Sequence, residues 1–300
     1  MFDADDQQMS RACDDNRYGE FDLTNAAAAP DARATQRIAI AGMGAIGLEI
    51  ANALNQGIAG CELTAVSGRN LDKARDAVAG FRKPVQVVPI EQLEAHADTV
   101  IECAPAALLP SIAGPFLKAG KTVIVLSAGA LLSHDELIAT ARQHGGQIVV
   151  PTGALLGLDA VTAAAEGTIR SVKMITRKPV KGLLGAPYLV DNNIVIDDIT
   201  EPKLIFRGSP RDAAVGFPAN LNVAVALSLA GIGPDKTTLE IWADPTLTRN
   251  THAIEVDADS AAFSMSIQNV PSNNPKTGRI TALSVISYLR KLHAPLRVGS

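Results

Sequence analysis

The chain has 300 residues, 47% of them apolar and 19% charged. That is room for one large domain or two ordinary ones, with enough apolar material to bury a core. A net charge of −4, from 27 basic and 31 acidic residues with no basic block, argues against nucleic acid as a partner. Three scattered cysteines, Cys13, Cys61 and Cys103, suit a reducing, cytoplasmic setting, not a disulfide framework.

Residues 1–35 read as a flexible acidic tail. The opening Asp3, Asp5 and Asp6 are unlike the basic start of a signal peptide. No apolar run is long enough to span a membrane. From Arg37 the character changes. Residues 37–41 are a short apolar run, read as a strand buried on both faces. A helix over 44–53 follows, then a strand over 62–66 and a helix over 70–79 with Asn70 as its N-cap. Strands are expected at 85–89, 99–102, 122–126 and 147–150, with helices at 90–96, 105–119 and 133–143 between them. Strand and helix alternate six times, which predicts a parallel sheet with right-handed crossovers and helices on both sides.

After Pro151 the pattern shifts. A helix over 153–164 leads into strands over 168–176, 203–207, 238–243, 252–257 and 263–270. The last three alternate polar and apolar residues between short turns and look like an antiparallel meander. A helix over 210–230, started by Ser209 and Pro210 and interrupted near Pro218, separates the set. The last helix, 280–292, sets Leu283, Ile286 and Leu289 on one face. The fold class is α/β: a Rossmann-type domain over 36–150, a second α/β domain with an open mixed, largely antiparallel sheet over 151–277, and a helix over 278–300 returning to the first. An antiparallel sheet with one open face often pairs with a copy of itself, so a homodimer is expected.

Gly42-Met43-Gly44-Ala45-Ile46-Gly47 is G-x-G-x-x-G, placed after a buried strand and at the start of a helix. Gly42 would permit the tight turn, Gly44 the close approach of a pyrophosphate, and Gly47 tight packing of helix on strand. Free N–H groups at the helix start would then face the phosphates, with Ala45 and Ile46 in the first turn. The second strand ends Ser67-Gly68-Arg69, where an NAD-specific domain usually carries an acidic residue for the ribose hydroxyls. A hydroxyl and a guanidinium suit a 2′-phosphate instead, so NADP is expected to be accepted, with NAD as the alternative. Small residues at two further strand ends, Ala104-Pro105 and Ala128, leave room for a nicotinamide ribose.

The five histidines lack metal-ligand spacing, and no metal is expected. His252 is singled out because it starts a strand of the second domain and could exchange protons near neutral pH. Lys276 and Thr277, just before the last helix, are candidates for substrate binding.

Segments 44–47, 127–131, 153–160, 250–252 and 274–277, in this order and spacing, together resemble the L-aspartate dehydrogenase family. The resemblance runs from about Arg37 to Leu292. It implies NAD(P)-dependent oxidation of L-aspartate to iminoaspartate, which hydrolyses to oxaloacetate and ammonia and can also feed NAD biosynthesis. It sets His252 on the family's catalytic histidine. It sets Ala130 and Asn222 on nicotinamide-cofactor positions, with Asn220 as the alternative register for the latter. The acidic N-terminal extension and Arg69 depart from the family pattern, and Arg69 leaves cofactor choice open. Two readings compete: a related two-domain NAD(P)-dependent reductase of another amino acid, imine or semialdehyde, and a non-catalytic NAD(P)-binding sensor.

Overall fold

The computed structural model describes residues 34–217, 221–271 and 278–299, which belong to one compact unit, Arg33–Ser300. The expected tail lies outside the described residues except for Ala34 and Thr35. So do Asn220, Lys276 and Thr277.

The first sheet is built from short apolar strands. β1 (Gln36–Ala41) buries Ile38, Ala39, Ile40 and Ala41 completely, as a central strand covered on both faces must. α1 (Ala45–Gln56) follows and turns Ile50, Ala51 and Leu54 inward. β2 (Cys61–Ser67) leads to α2 (Leu71–Val78), whose Asn70 side chain accepts the Lys73 N–H at 3.0 Å as the expected N-cap. β3 is only Gln86–Val87, shorter than expected: it lies at the sheet edge between Pro84 and Pro89, which cannot donate to a ladder. The helix expected over 90–96 is a 3₁₀ helix. β4 (Thr99–Glu102), α3 (Leu109–Lys118), β5 (Thr122–Val125), α4 (Asp135–His144) and β6 (Gln147–Val149) complete the domain. The strand order is β3-β2-β1-β4-β5-β6, with every pair parallel. The order reverses between β1 and β4. In such sheets the crevice for ligands opens there, at the carboxyl ends of the strands.

The helix expected over 153–164 starts only at Leu158: α5 is Leu158–Ala165. Gly153 and Gly157 hold φ of +59° and +69°, so the chain before Leu158 cannot be helical. β7 (Ile169–Lys178), α6 (Pro187–Asp191) and β8 (Lys203–Gly208) follow. The helix expected over 210–230 is two helices, α7 (Pro210–Gly216) and α8 (Asn222–Ala230). Ser209 caps the first with a capping box to Asp212. β9 (Thr238–Ala243), β10 (Asn250–Ala258) and β11 (Ala262–Asn269) belong to the second sheet, whose order is β11-β10-β7-β9-β8.

The expected meander of the last three strands is therefore wrong in one place. β10 and β11 do pair antiparallel, but β7 lies between β10 and β9, and β9 runs parallel to β7. Alternation reports which face of a strand is buried and says nothing about its neighbour. One apolar cluster joins Val172 and Met174 of β7, Ile254 and Val256 of β10, Val161 of α5 and Val225 and Leu227 of α8.

The chain ends in α9 (Ile280–His293), which packs on α1. Its buried seam is Ala282, Val285 and Leu289, in one cluster with Ile38, Ile50 and Leu54. Leu283, expected on that face, is half exposed. No helix among the described residues is long and apolar enough to cross a membrane.

Candidate active site

The glycine loop has the geometry of a phosphate cradle. Gly42 takes φ +107°, and a Cβ there would lie 2.5 Å from the Cys103 carbonyl oxygen. A Cβ on Gly47 would lie 1.9 Å from the Gly42 carbonyl oxygen, because α1 starts directly against the end of β1. Gly44 is the N-cap of α1 and has no side-chain cap, and a Cβ on it would meet nothing within 4 Å. The open space over Gly44 and the uncapped N–H groups behind it, in Ala45 and Ile46, fit the pyrophosphate of a dinucleotide.

The loop after β2 divides the two residues expected at a 2′-phosphate. Arg69 is exposed, whereas Ser67 is 1% exposed and its carbonyl accepts the Gly42 N–H. That leaves the guanidinium as the group able to meet a phosphate from solvent.

A cavity of ≈ 430 Å³ lies between the two sheets, against the carboxyl ends of β4 and β5. Of the residues expected around a cofactor, Ile46, Ala104, Pro105, Ala128 and Asn222 line it. Asn222 Oδ1 accepts the Gly129 N–H at 3.0 Å and so ties the start of α8 to the turn after β5. Ala130 does not line the cavity. Its N–H donates to the Ser127 carbonyl and its side chain packs against the core of the first sheet.

Glu102 closes β4 with a fully buried carboxylate. It accepts the Leu126 N–H at 3.1 Å, the Ser127 N–H at 2.9 Å and the Ser127 hydroxyl at 3.0 Å, joining the ends of β4 and β5. Burial raises its pKa and outweighs the opposing pull of these bonds.

From the second sheet, His252, Lys178, Asn250 and Asn269 line the same cavity. His252 on β10 is opposite Thr176 on β7, and its Nδ1 lies 3.2 Å from Thr176 Oγ1. With Nδ1–H donating to that hydroxyl, the Nε2 lone pair is the basic atom. Here the expectation of a group titrating near neutrality is corrected. Burial, and secondarily the charge of Lys178, push the His252 pKa down to about 3. The imidazole is neutral throughout the physiological range. One step further along the face, Asn250 is opposite Asn269, and Lys178 closes β7. Asn269 Nδ2 donates to the Ala154 carbonyl at 2.8 Å.

Lys178 and Asn269 were not anticipated, although a signal exists. Lys178 shares the parity of the buried Val172 and Met174, and Asn250 that of His252, Ile254 and Val256. A polar residue on the core parity at a strand end is a cavity candidate. Among the described residues, no group of three or more His, Cys, Asp or Glu side chains is placed to hold a metal ion.

The family model described as "Aspartate dehydrogenase, C-terminal" matches residues 159–292. The model described as "Homoserine dehydrogenase, NAD binding domain" matches residues 42–151. L-aspartate dehydrogenase 3 of Bordetella bronchiseptica is 61% identical over 264 residues, covering 88% of this chain and 97% of its own. The L-aspartate dehydrogenase of Bradyrhizobium diazoefficiens is 60% identical over 264 residues, covering 88% and 94%. The crystal structure of aspartate dehydrogenase from Thermotoga maritima shares the fold with a TM-score of 0.68 at 22% identity, covering 88% of this chain and 99% of its own.

Proposed function

The chain belongs to the L-aspartate dehydrogenase family of NAD(P)-using oxidoreductases, and from that premise we propose that it oxidises L-aspartate to iminoaspartate, which water converts to oxaloacetate and ammonia. The observation that carries this reading is a single cavity joining His252 to the small strand ends Ala104 and Ala128.

When bound, the nicotinamide supplies the hydride acceptor. Gly42, Gly44, Ala45, Ile46 and Gly47 would hold the pyrophosphate at the start of α1. Ala104, Pro105, Ala128 and Asn222, which line the cavity, would receive the nicotinamide end. His252 is the proton-moving residue: Thr176 orients the ring, and Nε2 takes a proton from the substrate ammonium and releases it to solvent, then takes one from the attacking water and returns it to the departing amine. Burial holds the imidazole neutral in the free enzyme, so the Nε2 lone pair is available to accept a proton. Glu102 keeps the ends of β4 and β5 in register around the cavity. Lys276 and Thr277, which lie outside the described residues, remain candidates for substrate binding from their place in the sequence just before α9.

The test is a substrate panel. L-aspartate should be turned over with oxaloacetate and ammonia formed one to one, and the reverse reaction should consume oxaloacetate plus ammonia. Faster turnover of another amino acid, an imine or a semialdehyde would overturn the assignment. We further infer that iminoaspartate formed here can supply NAD biosynthesis and that the enzyme works in the reducing cytoplasm, with Cys61 and Cys103 as thiols. The chain pairs with a second copy as a homodimer; a solution mass of 31.3 kDa, that of a single chain, would contradict this.

Cofactor choice rests on Arg69, since no acidic residue stands at the end of β2 to hold the ribose hydroxyls. Arg69→Ala is expected to weaken NADP binding by about tenfold to a hundredfold and NAD binding by less than threefold, because only NADP offers a 2′-phosphate to the guanidinium. Titration of both cofactors checks this. Equal losses for both would make Arg69 an ordinary solvated side chain.

A further inference from the structure

We propose that the buried carboxylate of Glu102 sets the protein's relative affinity for the two redox forms of its cofactor and favours the oxidised one. The proposal deepens the reading of the cavity as the nicotinamide site and rests on it.

Glu102 is 0% exposed and ends β4. With Cys103 and Ala104, the next two residues, it lines the cavity beside Ala128. A carboxylate is seldom buried this completely unless a cation pairs with it or a function requires it. Here the groups that bond it are neutral dipoles: the Leu126 and Ser127 N–H groups on Oε2 and the Ser127 hydroxyl on Oε1. None of the ion pairs among the described residues includes it. Two of its three partners are backbone N–H groups, which can only donate, so the set favours the charged form against the pull of burial. The adjacent Cys103 thiol is pushed well above its ordinary pKa, by burial first and by the Glu102 charge second, and stays neutral. Lys178, the other charged residue lining the cavity, ends β7 in the second sheet.

An oxidised nicotinamide ring carries a positive charge, and a reduced ring carries none. A fixed negative charge in a water-poor cavity therefore attracts the first and not the second. The pyrophosphate, riboses and adenine are common to both forms, so their contacts cancel in the ratio of the two affinities. Glu102 thus holds the form that accepts hydride and eases release of the form that has received it.

The test is titration of the whole chain, without substrate, with NAD and NADH and likewise with NADP and NADPH. Glu102→Gln has nearly the same shape. Its amide oxygen can take both N–H groups, and its NH₂ can donate to the Ser127 hydroxyl, which also accepts. It is expected to shift the ratio of oxidised to reduced Kd by about fivefold or more towards the reduced form, equivalent to about 1 kcal/mol. The melting temperature of the cofactor-free protein should stay close to wild type. Glu102→Asp keeps the charge on a shorter arm, so both affinities fall together and their ratio stays within about threefold of wild type. A ratio in Glu102→Gln within about threefold of wild type, with both forms weakened alike, would make Glu102 a structural tie between β4 and β5 and overturn the proposal. A ratio moved as far in Glu102→Asp as expected for the glutamine variant would overturn it too, and that arm stands even where Glu102→Gln fails to fold. Failure of the wild type to bind any of the four cofactors would instead remove the nicotinamide-site reading beneath it, so the two failures are distinguishable.

Discussion

His252→Ala is expected to lower kcat with L-aspartate by about 10²–10⁴, the usual contribution of a positioned acid–base group, and to leave cofactor affinity within threefold. The residue touches the cavity, Thr176 fixes its ring, and the glycine loop that would hold the cofactor is built on the other sheet. His252→Asn keeps a hydrogen-bonding side chain but cannot relay a proton, and is expected to be nearly as slow. The buried imidazole also predicts a pH signature for stability. Its folded pKa of about 3 lies below the ordinary 6.5, so the unfolded chain binds the proton more readily. Folding stability is therefore lost as pH falls from about 6.5 towards 3, and unaffected by this group above 6.5. The Asn variant should lose less over that window in thermal melts. Turnover surviving either substitution within threefold removes His252 from the mechanism.

Gly44→Val is the second large effect. The space over Gly44 is open, so the added side chain costs the fold little, but it fills the volume a pyrophosphate needs. The cofactor Kd is expected to rise by at least a hundredfold, equivalent to about 3 kcal/mol or more. The melting temperature of the cofactor-free protein should stay close to wild type. Gly47→Ala provides the contrast. Its Cβ would sit 1.9 Å from the Gly42 carbonyl oxygen, so that variant should lose folded protein and not merely cofactor. An unchanged cofactor affinity in Gly44→Val would show that the loop is a turn and nothing more.

Much of this architecture is legible in the chain because it is local. Alternating apolar runs and helical periods over 36–150 give the parallel sheet, and three glycines at fixed spacing mark the phosphate turn. What is not legible depends on contacts remote in sequence. The insertion of β7 between β10 and β9 is a matter of pairing partners. The buried seam of α9 runs through Ala282, Val285 and Leu289, where hydrophobicity alone favoured Leu283. The ionisation of His252 depends on burial and on Lys178, a residue 74 positions earlier in the chain. Ser67 likewise has the right chemistry for a phosphate but is closed off from solvent.

The central claim is that the buried histidine and the glycine loop serve one reaction on L-aspartate. It is tested most directly by following absorbance at the reduced-nicotinamide band when L-aspartate is added to the enzyme with NAD and, separately, with NADP. A rise with at least one cofactor, absent with D-aspartate and absent in His252→Ala on the same timescale, is the predicted result. No rise with either cofactor, from protein shown by titration to bind them, would contradict the account.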